Sequence, residues 1–214
     1  TGLISTLANF GLDAGLIRYL PQMEVEDRNK LYNTVITVTL LAALIIAVIF
    51  MVFLDKFSPS LTFIREGWFS VMFIGYIALT SVSYLQCMTF TALRRADLSL
   101  AQSLINGIRI PLLLVFAPLG IIGVLLSINI SFVVSVLFGS IALLKYKLSY
   151  LFKLDIPSIR KTVNFSLWNY TAGILLMAQG GIIPIIIINT IGPKENAYFY
   201  VAFAMSSFLF MIPA

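Results

Sequence analysis

Apolar and polar positions along this chain are arranged in long blocks, not at the short period of an ordinary soluble helix or strand. Asp, Glu, Lys and Arg are absent from 1–12, 31–54, 67–93, 162–193 and 196–214, and within 98–144 the only charge is Arg109. About 20 apolar residues rising 1.5 Å each cross a hydrocarbon core of roughly 30 Å, so such blocks predict membrane-spanning helices. Seven segments follow: 1–17 and 197–214, both incomplete, with 35–54, 68–92, 98–119, 122–144 and 165–189 between them. The stretch 110–144 is too long for one crossing, and Pro118, Gly120 and Gly123 supply the backbone punctuation of a tight turn that divides it. The expected fold class is all-α, a polytopic helical membrane protein. Thr1 is not an initiator and the terminal segments are apolar to their ends, so the chain reads as a piece of a longer one; no secretory signal pattern is present.

Polar positions inside the blocks sort the segments by what they face. A helix surrounded by lipid needs no polar side, so a polar stripe points at other helices or at a water-filled path. Gly2, Ser5, Thr6, Asn9 and Asp13 on the first segment, and Ser99, Gln102, Ser103, Asn106 and Arg109 on the fourth, recur at helical spacing and are expected to face an interior cavity. Tyr76, Thr80, Ser83, Tyr84 and Cys87, with Gln86 beside them, form a similar stripe on the third; hydroxyls can bond back to their own helix, which favours packing there. The fifth carries Gly123, Ser127, Ser131, Ser135 and Gly139 at four-residue intervals, a ridge of small residues along which a second helix can approach closely. The second has almost no polar residue and should be peripheral. Gly180, Gly181 and Pro184 predict a kink in the sixth, with Asn169 and Gln179 as polar companions.

Composition agrees and removes other classes. With 60% hydrophobic and 11% charged residues and a mean hydropathy of +1.00, 214 residues cannot hide their apolar surface in a soluble core. The cations fall on alternate connections: Arg18, Arg28, Lys30, Arg94, Arg95, Lys145, Lys147, Lys153, Arg160 and Lys161 on one side, against Lys56, Arg65 and Lys194 on the other. The side with ten is expected to be cytoplasmic. This explains the pI near 9.4 without nucleic acid. The connection 145–164 mixes Tyr146, Tyr150, Leu151, Phe152 and Ile156 with five cations around Pro157, as suits a segment lying on an anionic leaflet and joining two halves of a bundle. Cys87 is the only cysteine and histidine is absent, so neither a disulfide nor a zinc or haem site is expected, and no cofactor is called for. No phosphate loop, nucleophile elbow or close pair of acids within a span points to an enzyme. Glu24, Glu26 and Asp27 sit beside Arg28 and Lys30 as a solvated charge cluster.

Two stretches carry a family resemblance. Residues 10–21, Phe-Gly-Leu-Asp-Ala-Gly-Leu-Ile-Arg-Tyr-Leu-Pro, resemble the end of the second span in polysaccharide flippases of the multidrug, oligosaccharidyl-lipid and polysaccharide exporter superfamily, where a Gly-rich helix end runs into an Arg-Tyr-Leu-Pro type turn. Residues 192–204, Gly-Pro-Lys-Glu-Asn-Ala-Tyr-Phe-Tyr-Val-Ala-Phe-Ala, followed by Met211-Ile212-Pro213-Ala214, are similar to that family's connection into its eighth span. The resemblance implies spans two to eight of a two-lobe transporter of twelve to fourteen helices, similar in fold to multidrug and toxin extrusion proteins. Residues 1–144 would then be part of the N-terminal lobe, 145–164 a cytoplasmic interfacial linker, and 165–214 the start of the C-terminal lobe.

The implied activity is flipping of a lipid-linked oligosaccharide of polyprenyl diphosphate type across the cytoplasmic, or inner, membrane by alternating access, for O-antigen-like or other polysaccharide biosynthesis. Candidate cavity residues are Arg109, Asn106, Gln102, Asp13 and Asn9; the family signature is Gly11, Gly15, Arg18, Tyr19 and Pro21, which shape the helix end. Membrane lipids and glycan-assembly proteins are the implied partners. A multidrug or cation antiporter of the same fold, a non-transporting subunit of a glycan-synthesis complex and a lipid-linked glycan polymerase or transferase stay open at this point, since a fold alone does not choose a substrate.

Overall fold

The computed structural model describes residues 9–54, 65, 67–150, 154–155, 157, 166, 168–171 and 183–209; the described residues contain helices and turns and no strand. They fall into two units, Thr1–Asn169 and Tyr170–Ala214. Among the described residues three helical stretches are long and apolar enough to cross a membrane: Val25–Val52, Trp68–Ala92 and Ala96–Leu144. The described residues are thus all-helical, with three candidate membrane-spanning stretches among them. Gly2, Ser5, Thr6, most of 151–165, and the kink expected at Gly180 and Gly181 with Gln179 lie outside the described residues.

In the first unit, Phe10 and Gly11 both have left-handed backbones (φ 46° and 67°), so the segment 1–17 is not one continuous helix. Helix α1, Leu12–Tyr19, starts afresh, and Pro21 then opens a short 3-10 turn, Leu20–Gln22. Helix α2 is Val25–Val52, beginning ten residues before its apolar run. Glu26 and Asp27 in its first turn suit the positive end of the helix dipole, and its polar start is held inside the protein: Asn33, Thr34, Thr37 and Thr39 are buried. Thr34 and Thr37 donate to the carbonyls of Lys30 and Asn33, both at 2.7 Å. The later half exposes Leu41, Ile45, Val48 and Val52, so only that half is peripheral.

Helix α3, Trp68–Ala92, stops where Arg94 takes a left-handed backbone (φ 57°) and the Arg95 N–H bonds the Phe90 carbonyl at 2.9 Å. Lys147 (φ 58°) and the Leu148 N–H to Leu143 bond, 3.2 Å, repeat that ending after helix α6, Gly120–Leu144. Glycine is usual at such a position; here cations stand there, at the negative end of the helix dipole. Between them lie α4, Ala96–Asn106, and α5, Arg109–Phe116. A 3-10 turn, Ala117–Leu119, containing Pro118, and Gly120 with φ 59° then reverse the chain, at the place where the sequence predicts a tight turn.

Helix α6 packs on α3, α4 and α5 through its small residues: Gly123, Ser127, Ser131, Ser135 and Gly139 are all buried. A β-carbon on Gly139 would collide with the Gln86 side chain, and one on Gly123 with the Phe116 carbonyl, so the ridge is a packing surface. Two apolar clusters hold the bundle at its ends. One joins Leu16, Leu20, Leu31, Tyr32, Leu85, Phe90, Leu143 and Leu148; the other joins Ala43, Ala47, Leu54, Phe73 and Ile77.

The start of the basic connection departs from the expected surface placement. Leu148 is buried, Tyr146 and Tyr150 pack against the first cluster, and the Tyr150 ring lies 5.7 Å from that of Tyr32. The Ser149 N–H bonds the Asn29 Oδ1 at 3.0 Å, and the Asp155 N–H bonds the Thr34 hydroxyl at 3.0 Å. The left-handed step at Lys147 is the cause, because it turns the chain back over the ends of α2 and α3.

The second unit contains α7, Ile183–Thr190, and α8, Pro193–Leu209. Gly192 (φ 134°) lies between them, its N–H on the Ile187 carbonyl at 3.1 Å, and Pro193 opens α8 where its missing N–H costs nothing. Phe199 and Phe203 stack one turn apart at 5.9 Å.

Candidate functional site

Buried polar side chains in the first unit meet where α3, α4 and α6 come together, and Gln86 is at the centre. Its Nε2 lies 3.1 Å from the Val136 carbonyl, 3.1 Å from Ser140 Oγ and 2.9 Å from Tyr150 Oη, while its Oε1 accepts from Gln102 Nε2 at 2.9 Å. Gln102 Nε2 also lies 3.2 Å from Ser83 Oγ, and that hydroxyl is 3.2 Å from Ser135 Oγ. Asn106 Nδ2 reaches Ser83 Oγ at 3.4 Å, and the Asn106 carbonyl accepts from Ser131 Oγ at 2.8 Å. Burial pushes the Tyr150 phenol above its ordinary pKa, so the hydroxyl that closes this network is neutral. Interhelical hydrogen bonds in a bilayer contribute about 0.6 to 2 kcal/mol each, so the seam fixes three helices as one body.

The five residues expected in a cavity therefore have separate places. Gln102 is 1% exposed and belongs to the closed seam, with its Oε1 lacking a partner among the described residues. Asn106 is half-buried at the edge of that seam, its Oδ1 likewise unpartnered. Arg109 is exposed and its guanidinium has no partner among the described residues. The helix that would carry these three on one stripe is interrupted: α4 ends at Asn106 and α5 starts at Arg109, with the chain tightened at Gly107–Ile108 between them. Ile108 N–H bonds Ile105 O and Ile110 N–H bonds Gly107 O, both at 3.0 Å, the three-residue steps that separate α4 from α5. Gln102 and Asn106 are held against α3 and α6, while Arg109, the first residue of α5, is exposed.

On the N-terminal side, Asn9 is 4% exposed with an unpartnered Oδ1, and half-buried Asp13 accepts from Tyr84 Oη at 2.8 Å. Asp13 is thus tied to α3, and an ion pair with Arg109 is not made. Of the signature residues, Gly11 supplies the left-handed break, Gly15 is buried, and Pro21 starts the 3-10 turn. Arg18 is exposed with its guanidinium 5.5 Å from the Tyr19 ring centre. Arg28 donates to the Met23 and Pro21 carbonyls at 2.7 and 3.3 Å, which closes that turn.

Gln86, Ser140 and Tyr150 are the members of the seam that helical spacing does not single out. The partners of Gln86 lie 16 to 64 residues away, and the one local sign was a glutamine within an apolar run facing small residues on another helix. No known protein family, no curated protein and no solved structure matches the chain.

Proposed function

We propose that this chain belongs to a multi-pass transporter of the cytoplasmic membrane that flips a lipid-linked oligosaccharide by alternating access, without enzymatic chemistry of its own. Arg109 carries the proposal: an exposed cation with no partner among the described residues is the one charge in the sequence from Leu98 to Leu144, beside the tightened turn at Gly107–Ile108. A charge at such depth costs about 2.5 to 3.5 kcal/mol on insertion scales, and a diphosphate travelling between leaflets is a ligand that offsets the cost. The resemblance of residues 10–21 and 192–214 to polysaccharide flippases supports the same activity and supplies the lipid-linked substrate class. The closed seam of α3, α4 and α6 suits a lobe that moves as a rigid body.

The direct test follows the substrate. Cells lacking the intact protein should accumulate lipid-linked oligosaccharide on the cytoplasmic leaflet and lose surface glycan, both restored by the gene; normal surface glycan without it would refute the proposal. Topology is a second expected result. Reporters fused after Lys30, Arg95 or Lys153 should report cytoplasm, and those after Lys56 or Lys194 the opposite side. An extracytoplasmic signal at Lys153 would overturn the orientation, because the largest group of cations lies in that connection.

A further inference from the structure

The geometry points to a binding site for an anionic phospholipid in the cleft between the end of α3 and the first turns of α4, with Arg94 on its phosphate and Leu100 along its acyl chain. The cleft has a volume of about 540 Å³ and is lined by Thr91, Arg94, Ala96, Ser99, Leu100 and Ser103. Among these residues there is one cation and no carboxylate. The two consecutive arginines of this turn have different roles. Arg95 is bound to Asp97 at 2.6 and 2.8 Å and to the Tyr146 hydroxyl. Arg94 is exposed, and its guanidinium has no partner among the described residues.

The hydroxyls of the cleft do not compete for the anion. Thr91 donates to the Cys87 carbonyl at 3.1 Å and Ser103 to the Ser99 carbonyl at 3.0 Å, while Ser99 Oγ is 2.9 Å from Cys87 Sγ. What remains is a guanidinium at one end and an apolar wall of Ala96, Leu100 and the Thr91 methyl, with Leu100 61% exposed and the next leucine, Leu104, 68% exposed. From Ala96 to Ser103 helix α4 rises about 10 Å, so the charged end sits at headgroup level and the apolar wall descends toward the acyl region. A ligand complementary to this surface has one phosphate and a hydrocarbon tail, and in a membrane the abundant molecule of that kind is an anionic lipid. The site rests on Arg94 and Arg95 lying at the cytoplasmic face, and not on what the protein carries.

Purified intact protein in nanodiscs of equal phosphatidylglycerol and phosphatidylcholine would be released and its retained lipid identified by native mass spectrometry, an assay that does not read transport. Wild type should retain phosphatidylglycerol in preference. Arg94→Gly suits the left-handed backbone and so should fold; it should lower that preference on the order of tenfold, as expected for losing one charge-assisted contact. Leu100→Glu should lower it as well, Arg94→Lys should keep part of it, and Lys145→Gln, an exposed cation outside the cleft, should leave it unchanged. Equal retention of the two lipids by wild type, or an unchanged preference in Arg94→Gly, would overturn the site. Full displacement of the lipid by millimolar inorganic phosphate would also overturn it, since the cleft would then hold only a free anion.

Discussion

Ser131→Leu is expected to remove most of the folded protein from detergent extracts. Ser131 is fully buried on α6, and its hydroxyl donates to the Asn106 carbonyl at 2.8 Å, at the point where α4 gives way to α5. Leucine there both overpacks a contact made by small residues and leaves that carbonyl without its side-chain donor. Together these effects amount to about 2 to 4 kcal/mol, a large share of the stability of a domain this size. Ser131→Ala keeps the volume nearly constant and should cost about 1 kcal/mol or less. Val134→Leu adds bulk at an exposed position of the same helix and should leave the melting temperature where it was. Melting curves of the three purified variants check the expectation. If Ser131→Leu melts with wild type, α6 does not approach its neighbours as closely as the buried ridge requires.

That ridge was legible in the sequence because packing through small residues at a fixed period is a local signal, contained within one helix. The block pattern was legible for the same reason: a run without charge announces a membrane stretch wherever its neighbours lie. Helix α2 shows where this stops. Its apolar run marks the stretch suited to lipid, but the helix continues back to Val25 through Asn29, Asn33 and Thr34, polar residues that the strap after α6 and the back-bonded threonines satisfy.

The candidate site was legible in its residues and less so in its directions. Projecting Gln102, Asn106 and Arg109 on one face treats 98–119 as a single helix, and the interruption at Gly107–Ile108 instead places the charge at the exposed start of a second one. Tyr150 reads as an interfacial aromatic by composition; the left-handed backbone at Lys147, which no cation at that position announces, turns it inward to Gln86. Long-range partners and single backbone reversals are properties of the assembled chain, so periodicity within one segment does not contain them.

Loss of surface glycan in Arg109→Ala, at normal membrane abundance, is the largest functional effect expected. Eleven residues at helical rise separate Leu98 from Arg109, about 16 Å, which in the proposed orientation puts the charge near the middle of a hydrocarbon core of roughly 30 Å, and no described side chain neutralises it. A guanidinium can grip a diphosphate through two parallel hydrogen bonds, whereas an ammonium offers a compact point charge. Arg109→Ala should therefore reduce delivery on the order of tenfold or more, and Arg109→Lys should fall between it and wild type. Asp13→Asn should have the smaller effect, because the Asp13 carboxylate receives the Tyr84 hydroxyl and not the arginine. Tyr84→Phe removes the same bond from its other end and should match Asp13→Asn. Surface glycan and membrane abundance would be measured together in cells carrying each variant of the intact protein. Normal delivery by Arg109→Ala would discard the substrate role. Low abundance shared by Arg109→Ala and Asp13→Asn would instead mean that the two residues meet in another conformation and hold the bundle together.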